Sequence, residues 1–327
     1  MKNITVLSTF DGIATGLLTL KELGYTVNYY ASEIEEGAIK VAMKNHPEIV
    51  QIGDVTKVKY SDGILYTEKG NFNVGKIDLI LGGSPCNDLS LQHKERLGLK
   101  GSLSSLFYEY YRLYKEINPK YFFLENVGMK KEPMNEISEL LGVNPVEINS
   151  NLISGQNRKR LYWTNIPNVT IPEDKKIKLQ DIIEDGYVDR EKSNCILEST
   201  SRFCVTPSSM RRYMYKNFGQ IVFPSREEYE KYVGKTRESR ISYAKWLWSQ
   251  NSKNLIEGVH TPKFRLVSPI EVERLQTLPE NYTYVEDFYY NKNGTYNKDK
   301  GDRKRISVMG EGWTKDVILH ILKNMVF

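Results

Sequence analysis

The chain has 327 residues, 40% of them hydrophobic and 27% charged, with a formal net charge of +5. This composition predicts an ordinary globular protein with one large and one smaller domain, and the mild positive charge is compatible with a polyanionic partner. Three cysteines without a CxxC pair and four histidines exclude the usual metal-ligand spacings, and no apolar run approaches the ~20 residues of a membrane helix. We therefore expect no metal and no membrane partner. Because no signal-peptide pattern is present, we also expect a cytoplasmic protein.

The N-terminal part of the chain alternates predicted strands and helices, which indicates βαβ units and a parallel sheet. A strand over 4–9 is followed by a turn containing Gly12 and Gly16 and by a helix near 14–23. Such a turn lets the backbone approach a ligand at the helix N-terminus, where free N–H groups favour a carboxylate. The turn matches neither GxGxxG nor GK[ST], so a nucleoside triphosphate is not expected.

Acidic residues end the next two predicted strands. Strand 27–32 is followed by Glu33, at the position where doubly wound folds hold a ribose hydroxyl. The acidic residues just after it are also consistent with a solvent-exposed loop. Strand 49–55 carries Asp54 near its end, where a carboxylate can accept the exocyclic amine of an adenine.

A cysteine and a glutamate follow two further apolar strands. Strand 77–81 runs through Gly-Gly-Ser-Pro into Cys86, and strand 121–124 runs into Glu125. The carboxyl ends of parallel strands share one edge of the sheet, where ligands bind, so we expect the thiol and the carboxyl to lie near each other. Buried cysteines are common and Glu125 can be a surface acid, so neither residue alone identifies a catalytic group.

Two arginines and a helix complete this region. Apolar spacing predicts a helix over 104–117 whose stripe is mainly core. Arg158 and Arg160 precede an apolar strand at 161–163, and alternation in an extended segment predicts that they point the same way. The charged cluster around them is consistent with a solvated face or with a phosphate contact.

From 172 to 262 the alternation of strands and helices is lost, and basic residues are interleaved with aromatic ones. This pattern fits a nucleic-acid surface, and it equally fits an α+β insertion whose aromatic side chains form a core. Ser268 and Pro269 predict the start of a helix that runs to about Leu278. The polar stretch 291–305 is predicted as a mobile loop or hinge, and a last helix closes the chain.

Taken in chain order, these segments resemble the DNA (cytosine-5) methyltransferase family, nearly from end to end. Each match alone is weak, but six in the family's order are specific. The six are the turn from Phe10 to Gly16, Ser84-Pro85-Cys86, Glu125-Asn126-Val127, Gln156-x-Arg158-x-Arg160, the helical region from Arg265 to Pro279, and Gly310-x-Gly312-Trp313.

The resemblance implies an α/β fold: a Rossmann-like S-adenosylmethionine-dependent methyltransferase sheet with a smaller inserted target-recognition domain. The implied domains are a catalytic, cofactor-binding domain over 1–171 that is completed by 306–327, a target-recognition domain over 172–283, and a hinge over 284–305.

The amino-acid sequence of two segments, 10–18 and 82–90, resembles that of the mammalian de novo methyltransferases. Asn87 stands where the usual bacterial form has glutamine after Pro-Cys. Gln156 and the helix over 265–279 are closer to the bacterial pattern, so we interpret the chain as a bacterial or phage enzyme. Restriction–modification, phage self-protection and epigenetic marking are all open.

The resemblance also implies a covalent mechanism for methylating cytosine in DNA. The Cys86 thiolate would add to C6, Glu125 would hydrogen-bond N3 and the exocyclic amine, and Arg158 and Arg160 would hold O2 and position a phosphate or the catalytic loop. The target base would have to be flipped out of the duplex, and Gln92 would fill the space it leaves. The four predicted catalytic residues are Cys86, Glu125, Arg158 and Arg160.

The implied cofactor is S-adenosylmethionine, which leaves as S-adenosylhomocysteine. Phe10 would lie against the adenine, Glu33 on the ribose hydroxyls and Asp54 at the adenine amine. The predicted cofactor-binding residues are Phe10, Asp11, Gly12, Ile13, Thr15, Glu33, Ile34, Asp54, Val55, Ser84, Pro85, Leu106, Glu311, Gly312 and Trp313. The predicted DNA-binding residues, the arginines being chosen by type alone, are Gln92, Arg202, Arg211, Arg212 and Arg240.

The expected partner is double-stranded DNA, with a cognate restriction endonuclease if the chain belongs to a restriction system. Monomer and homo-oligomer are both open. Transfer RNA is an alternative substrate, because some relatives with this catalytic set methylate it, but the size of the 172–262 insertion favours DNA. A second alternative is a DNA-binding protein without activity, and the presence of all four predicted catalytic residues argues against it.

Overall fold

The computed structural model describes residues 2–85, 106–202, 206–216, 219–250 and 256–327. The predicted nucleophile Cys86 and the predicted DNA contact Gln92 lie outside the described residues, as does Asn87.

The chain divides into two compact units, which are each interrupted in sequence. The sheet unit consists of Met1–Asn149, Lys159–Glu173 and Trp313–Phe327. The helical unit consists of Ser150–Arg158 and Asp174–Gly312.

The strands and helices of the described residues are numbered along the chain. The strands are β1 (Asn3–Thr9), β2 (Thr26–Ser32), β3 (Val50–Gln51), β4 (Lys59–Ser61), β5 (Ile64–Thr67), β6 (Gly70–Asn73), β7 (Leu79–Gly82), β8 (Tyr121–Val127), β9 (Val146–Asn149), β10 (Lys159–Thr164), β11 (Ile221–Val222) and β12 (Arg265–Leu266). The helices are α1 (Thr15–Glu22), α2 (Glu36–Asn45), α3 (Leu106–Ile117), α4 (Lys131–Leu141), α5 (Pro207–Lys216), α6 (Arg226–Val233), α7 (Arg237–Ser249), α8 (Pro269–Leu275), α9 (Lys298–Glu311) and α10 (Lys315–Leu322).

The sheet unit is built on a seven-stranded sheet in the order β3-β2-β1-β7-β8-β10-β9. In this sheet β3, β2, β1, β7 and β8 are parallel to one another, and β10 is antiparallel to both of its neighbours. In β1, β7 and β8 nearly every residue is buried, as expected for strands of a parallel sheet with both faces covered. Helix α3 covers this sheet with Phe107, Tyr110, Leu113 and Ile117, which confirms the predicted helix.

A second sheet, with three antiparallel strands in the order β4-β5-β6, lies between β3 and β7 in the chain. The predicted alternation of strands and helices is therefore interrupted here. Asp62 and Gly63 both have positive φ, 52° and 80°, and form a two-residue turn between β4 and β5. Aspartate followed by glycine suits such a turn, so local turn chemistry forms a hairpin within the alternating region.

The helical unit has its own apolar core, formed by α5, α6, α7 and the short β11–β12 pair. Tyr213, Tyr229 and Tyr243 are buried in this core. These three aromatic residues therefore belong to the core, which was one of the two interpretations of the aromatic composition. Within the described ranges, no helix is both long and apolar enough to cross a membrane.

Helix α8 starts as predicted. The Ser268 hydroxyl accepts a hydrogen bond from the Glu271 amide, the Glu271 carboxylate accepts one from the Ser268 amide, and Pro269 occupies the first turn. The helix ends at Leu275, which is earlier than the predicted Leu278.

The stretch 291–305 contains the first turns of α9, so the prediction of a loop is wrong from Lys298 onward. Its polar residues are satisfied within the unit: the buried Arg305 guanidinium lies 2.9 Å from Glu273 Oε1 and also donates to Thr283 Oγ1. Residues 306–312, predicted to complete the catalytic domain, fall in the helical unit. The hinge role of 284–305 stays a prediction.

Candidate active site at the carboxyl edge of the sheet

Strand register brings the candidate residues of the sheet unit to one edge. Ser32 pairs with Thr9, Thr9 with Gly82, and Gly82 with Leu124, so four neighbouring strands are in line across the sheet. The residues that follow this row are Glu33, Phe10, Gly83 and Glu125. The edge includes the point between β1 and β7 where the strand order reverses, which is where open α/β sheets bind ligands.

The turn after β1 has an unusual backbone conformation. Phe10 and Ala14 have φ of 54° and 60°, in the left-handed region that L side chains rarely adopt, and Gly12 has φ of 61°. The Glu33 carboxylate fixes this turn, since Oε2 accepts the Gly12 amide at 2.8 Å. Its Oε1 accepts the next two backbone amides of its own loop. A carboxylate oxygen has two acceptor sites, so Oε2 retains one for a further donor.

Asp11 is buried beneath this turn. Its Oδ1 accepts the Tyr29 hydroxyl at 2.6 Å, whereas Oδ2 is buried without a hydrogen-bond partner among the described residues. Burial, together with the nearby Glu33, raises the pKa of the Asp11 carboxyl to about 7. An unsatisfied buried carboxyl oxygen beside a ligand edge is an acceptor available to a cationic or hydroxyl group.

Several other predicted cofactor contacts lie near the same part of the chain or on α3. Asp54 uses Oδ1 to cap a short 3-10 turn, Val55–Lys57, by accepting the Thr56 amide at 2.9 Å. Glu68, from the turn between β5 and β6, accepts the Asp54 amide at 3.1 Å. Ile34 is 74% exposed, Val55 is buried, and Leu106 is half-buried against the sheet core.

Glu125 lies near the end of β8 and is 9% exposed. Its Oε1 is 2.8 Å from Arg160 Nε, and its Oε2 accepts the Trp313 indole N–H at 3.2 Å. The ion pair is possible because β10 pairs with β8 in antiparallel register, with Tyr162 opposite Glu125 and Arg160 two residues before it. The structure therefore brings together the predicted acid, one predicted arginine and the predicted cofactor residue Trp313.

The chain segment that leads towards Cys86 is held at its start. The Asn126 side-chain amide donates to Ser84 Oγ at 3.1 Å and to the Ser84 carbonyl at 3.3 Å. Ser84 is buried and Pro85 is partly exposed. Asparagine in the predicted Glu-Asn-Val motif thus fixes the end of β7 beside Glu125.

Arg158 contacts backbone carbonyls, whereas Arg160 contacts Glu125. Arg158 is 3% exposed, lies in the helical unit and donates to the carbonyls of Ile196 at 2.8 Å, Gly310 at 3.2 Å and Gly312 at 2.7 Å. Strand β10 begins at Lys159, so Arg158 precedes the strand and the alternation rule does not apply to it.

Gln156 of the same motif is also internal to the helical unit. Its amide group donates to the Leu275 carbonyl at 3.2 Å and accepts the Ile196 amide at 2.8 Å. Gln276, the next residue after α8, donates to the Met309 carbonyl at 2.8 Å. Glu311 is exposed and ends α9, and Gly312 follows it.

The four arginines predicted as DNA contacts have different environments in the helical unit. Arg202 is exposed and pairs with Glu198. Arg211 and Arg212 lie on α5, half-buried and exposed respectively. Arg240 is 3.0 Å from the buried Asp189, which also pairs with Arg190.

Sequence reasoning missed Tyr29, Glu68 and the hydrogen bond from Trp313 to Glu125. Tyr29 points inward from β2, and a buried tyrosine needs a partner for its hydroxyl, so a search for an acceptor such as Asp11 was feasible from the strand pattern. No pattern within the sequence indicated the other two contacts, because each joins residues that are distant in the chain.

The sheet and its reversed strand order define the fold of the sheet unit. It has the Rossmann-like fold of S-adenosylmethionine-dependent methyltransferases, as predicted. The solved structure of the Entamoeba histolytica methyltransferase EhMeth has the same fold, with a TM-score of 0.63, 14% identity, and coverage of 99% of this chain and 98% of that one.

Residues 4–143 match the family described as C-5 cytosine-specific DNA methylase, which confirms the predicted resemblance. The chain is 31% identical over 179 residues to the type II methyltransferase M.NlaIV of Neisseria lactamica, covering 48% of this chain and 40% of that protein. It is 26% identical over 319 residues to the orphan methyltransferase M.Rho11sI of Bacillus phage rho11s, covering 90% of this chain and 57% of that protein. The chain thus spans less than two thirds of the length of these relatives.

Proposed function

We propose that the chain is a DNA cytosine-5 methyltransferase that uses S-adenosylmethionine as its methyl donor. The observation that carries this proposal is the buried Glu125–Arg160 pair at the sheet edge, 2.8 Å from atom to atom. It lies one strand from the end of β7, which leads to Cys86, and two strands from the turn after β1. The match of residues 4–143 to the cytosine-specific family supports the same reaction.

The groups around the turn after β1 fit this cofactor. Asp11 Oδ2 is a buried acceptor without a partner among the described residues and suits the cofactor's ammonium group. Glu33 Oε2 has one acceptor site left for a ribose hydroxyl. Phe10 provides a ring at the same edge. When bound, S-adenosylmethionine supplies an electrophilic methyl group on a sulfonium centre.

Cys86 would act as the nucleophile. Its thiolate forms a bond to C6 of cytosine, and the electron pair of the C5–C6 double bond moves towards C5, which becomes nucleophilic. Glu125 would hydrogen-bond N3 and the exocyclic amine and so stabilise the ring as charge develops. Arg160 would hold Glu125 through Oε1 and place a guanidinium N–H at the base O2.

After methyl transfer the C5 proton is released to solvent, and the C5–H electron pair restores the C5–C6 double bond. The C6–S bond breaks with its electrons returning to the Cys86 sulfur. These steps require the base to be flipped out of the duplex, since C6 cannot be reached within the stack. Gln92 is proposed to fill the vacated space.

Arg158 would serve the reaction indirectly. Its guanidinium holds the backbone at Gly310 and Gly312, the segment that leads into Trp313. We therefore assign it a positioning role, in place of the direct base or phosphate contact that the motif implied.

The helical unit is proposed to select the target sequence in double-stranded DNA. Arg202, Arg211 and Arg212 are the accessible candidates among the predicted contacts, and the last two lie on α5. A restriction endonuclease that acts on the same sequence is a proposed partner, because the relative M.NlaIV is a type II methyltransferase.

Covalent trapping tests this proposal. The purified chain is incubated with S-adenosylmethionine and either a long duplex in which every cytosine is 5-fluorocytosine or a transfer RNA transcript made the same way. Fluorine at C5 cannot leave as a cation, so the C6–S bond persists. We expect an adduct resistant to denaturation with DNA and none with Cys86→Ser.

An adduct with RNA alone would replace DNA by transfer RNA as the substrate. The absence of an adduct with either polymer, from protein that binds S-adenosylmethionine, would contradict the enzymatic proposal and favour a DNA-binding protein without activity.

A further inference from the structure

The carboxylate of Glu125 has two anchors of different kinds within the described residues. Oε1 meets the Arg160 guanidinium at 2.8 Å, and Oε2 meets the Trp313 indole N–H at 3.2 Å. The indole nitrogen can only donate, so this contact requires an acceptor at Oε2 and fixes the plane of the carboxyl group. Arg160 alone would leave that plane free to rotate.

The position of the Trp313 ring is itself determined by tight packing. The ring meets Phe123 of β8 edge to face, with centroids 5.2 Å apart. A Cβ atom at Gly83 would lie 2.9 Å from the indole nitrogen, which is closer than a side chain could tolerate. A Cβ atom at Gly16 would lie 3.6 Å from the far edge of the same ring. The indole therefore rests on the segment before Cys86 and faces the first turn of α1.

We propose that Trp313 is a positioning residue for Glu125, a role that rests on the methyltransferase function proposed above. Its indole N–H holds Oε2 while Arg160 holds Oε1, so that the carboxyl group is aimed at the flipped base before the base arrives. Preorganised hydrogen bonds of this kind lower the barrier because the acid does not have to be reoriented during the reaction. Trp313 thus serves the acid in addition to the cofactor role that the motif implied.

The test is Trp313→Phe, which keeps an aromatic ring against Phe123 and removes only the donor. We expect kcat for DNA methylation to fall about 10- to 50-fold, less than the roughly 100- to 1,000-fold lost when a donor that contacts the reacting atoms is removed, because Trp313 acts through Glu125. The dissociation constant for S-adenosylmethionine, measured by calorimetry on the same protein, should stay within about twofold. Unchanged kcat, or a large loss of cofactor affinity with unchanged kcat, would overturn the proposal.

Trp163→Phe is the matched control. Trp163 is a fully buried tryptophan of the sheet unit whose indole N–H donates to Ser138 Oγ at 3.0 Å and not to Glu125. It should lose stability without losing kcat. In a Glu125→Gln background, the further replacement of Trp313 by Phe should have little additional effect on kcat, because the two residues act as one unit. Additive effects would contradict the proposal.

A measurement on the native ring does not depend on the folding of the Trp313 variant. The chain contains 4 tryptophans, so its indole N–H groups give few nuclear magnetic resonance signals to assign. Glu125→Gln should shift the Trp313 indole signal and leave that of Trp163 in place. An unmoved Trp313 signal would overturn the proposal. If the wild-type chain does not methylate DNA, the proposed function fails first and takes this role with it.

Discussion

The two arginines of one motif show how far residue type and spacing carry a prediction. Glu125 was predicted at the sheet edge because an acid follows a wholly apolar strand, and the structure has it there beside Arg160. Arg158 has the same residue type but lies one residue outside β10, where it meets backbone carbonyls instead. Spacing predicts on which face of a strand a side chain lies, and this rule does not apply to a residue that precedes the strand.

Asp11 gives a pH-dependent prediction. Its pKa is raised from 3.8 to about 7 by burial, so between these values the folded state keeps a proton that the unfolded chain has lost. The resulting stabilisation is complete at low pH and is lost as the pH rises to about 7, by on the order of 4 kcal/mol. Asp11→Asn cannot ionise, so its stability should lack this dependence.

The measurement is the free energy of unfolding of both proteins at pH 5 and pH 8, without cofactor. The wild-type chain should lose stability relative to Asp11→Asn over this interval. A difference between the two proteins that stays constant from pH 5 to pH 8 would show that Asp11 does not hold a proton in the folded state.

At the scale of elements, local chemistry predicted where a helix begins better than it predicted whether a segment forms a helix, a hairpin or a loop. Ser268 and Pro269 predicted the start of α8 from sequence alone, and the structure adds a capping box between Ser268 and Glu271. The hairpin at Asp62 and Gly63 carried a usable turn signal that the alternating pattern around it obscured. Helix α9 looked like a loop because its composition is polar, whereas burial of the Arg305–Glu273 pair depends on residues outside that segment.

The end of α9 gives the second prediction. Arg158 donates to the carbonyls of Gly310 and Gly312, and a Cβ atom at Gly310 would overlap the backbone of Leu197 and Glu198. Arg158→Met removes a donor from each of these carbonyls, and the Gly310 carbonyl is buried. We expect it to lower the free energy of unfolding by about 3 kcal/mol, because each buried unsatisfied group costs roughly 1–3 kcal/mol.

Arg202→Met is the control for this measurement. Arg202 is 65% exposed and pairs with Glu198 on the surface, so the change should cost at most about 0.5 kcal/mol in urea denaturation. Equal losses of unfolding free energy in the two variants would show that the hydrogen bonds of Arg158 do not stabilise the helical unit.

At the scale of the whole molecule, the parallel sheet and the ligand edge were predictable because strand period and acid placement are local signals that repeat along the chain. The division into two units was only partly predictable. Residues 150–158 and 306–312 belong to the helical unit although the motifs placed them with the sheet. A unit boundary depends on contacts between distant segments, which spacing along the sequence does not encode.

We propose that this chain methylates cytosine in DNA. The most direct test is bisulfite sequencing of plasmid DNA from cells that express the chain, beside cells that express Cys86→Ser. We expect cytosines within one short sequence to resist conversion only with the intact chain. Complete conversion of every cytosine, with protein that is folded and binds S-adenosylmethionine, would contradict the proposed activity.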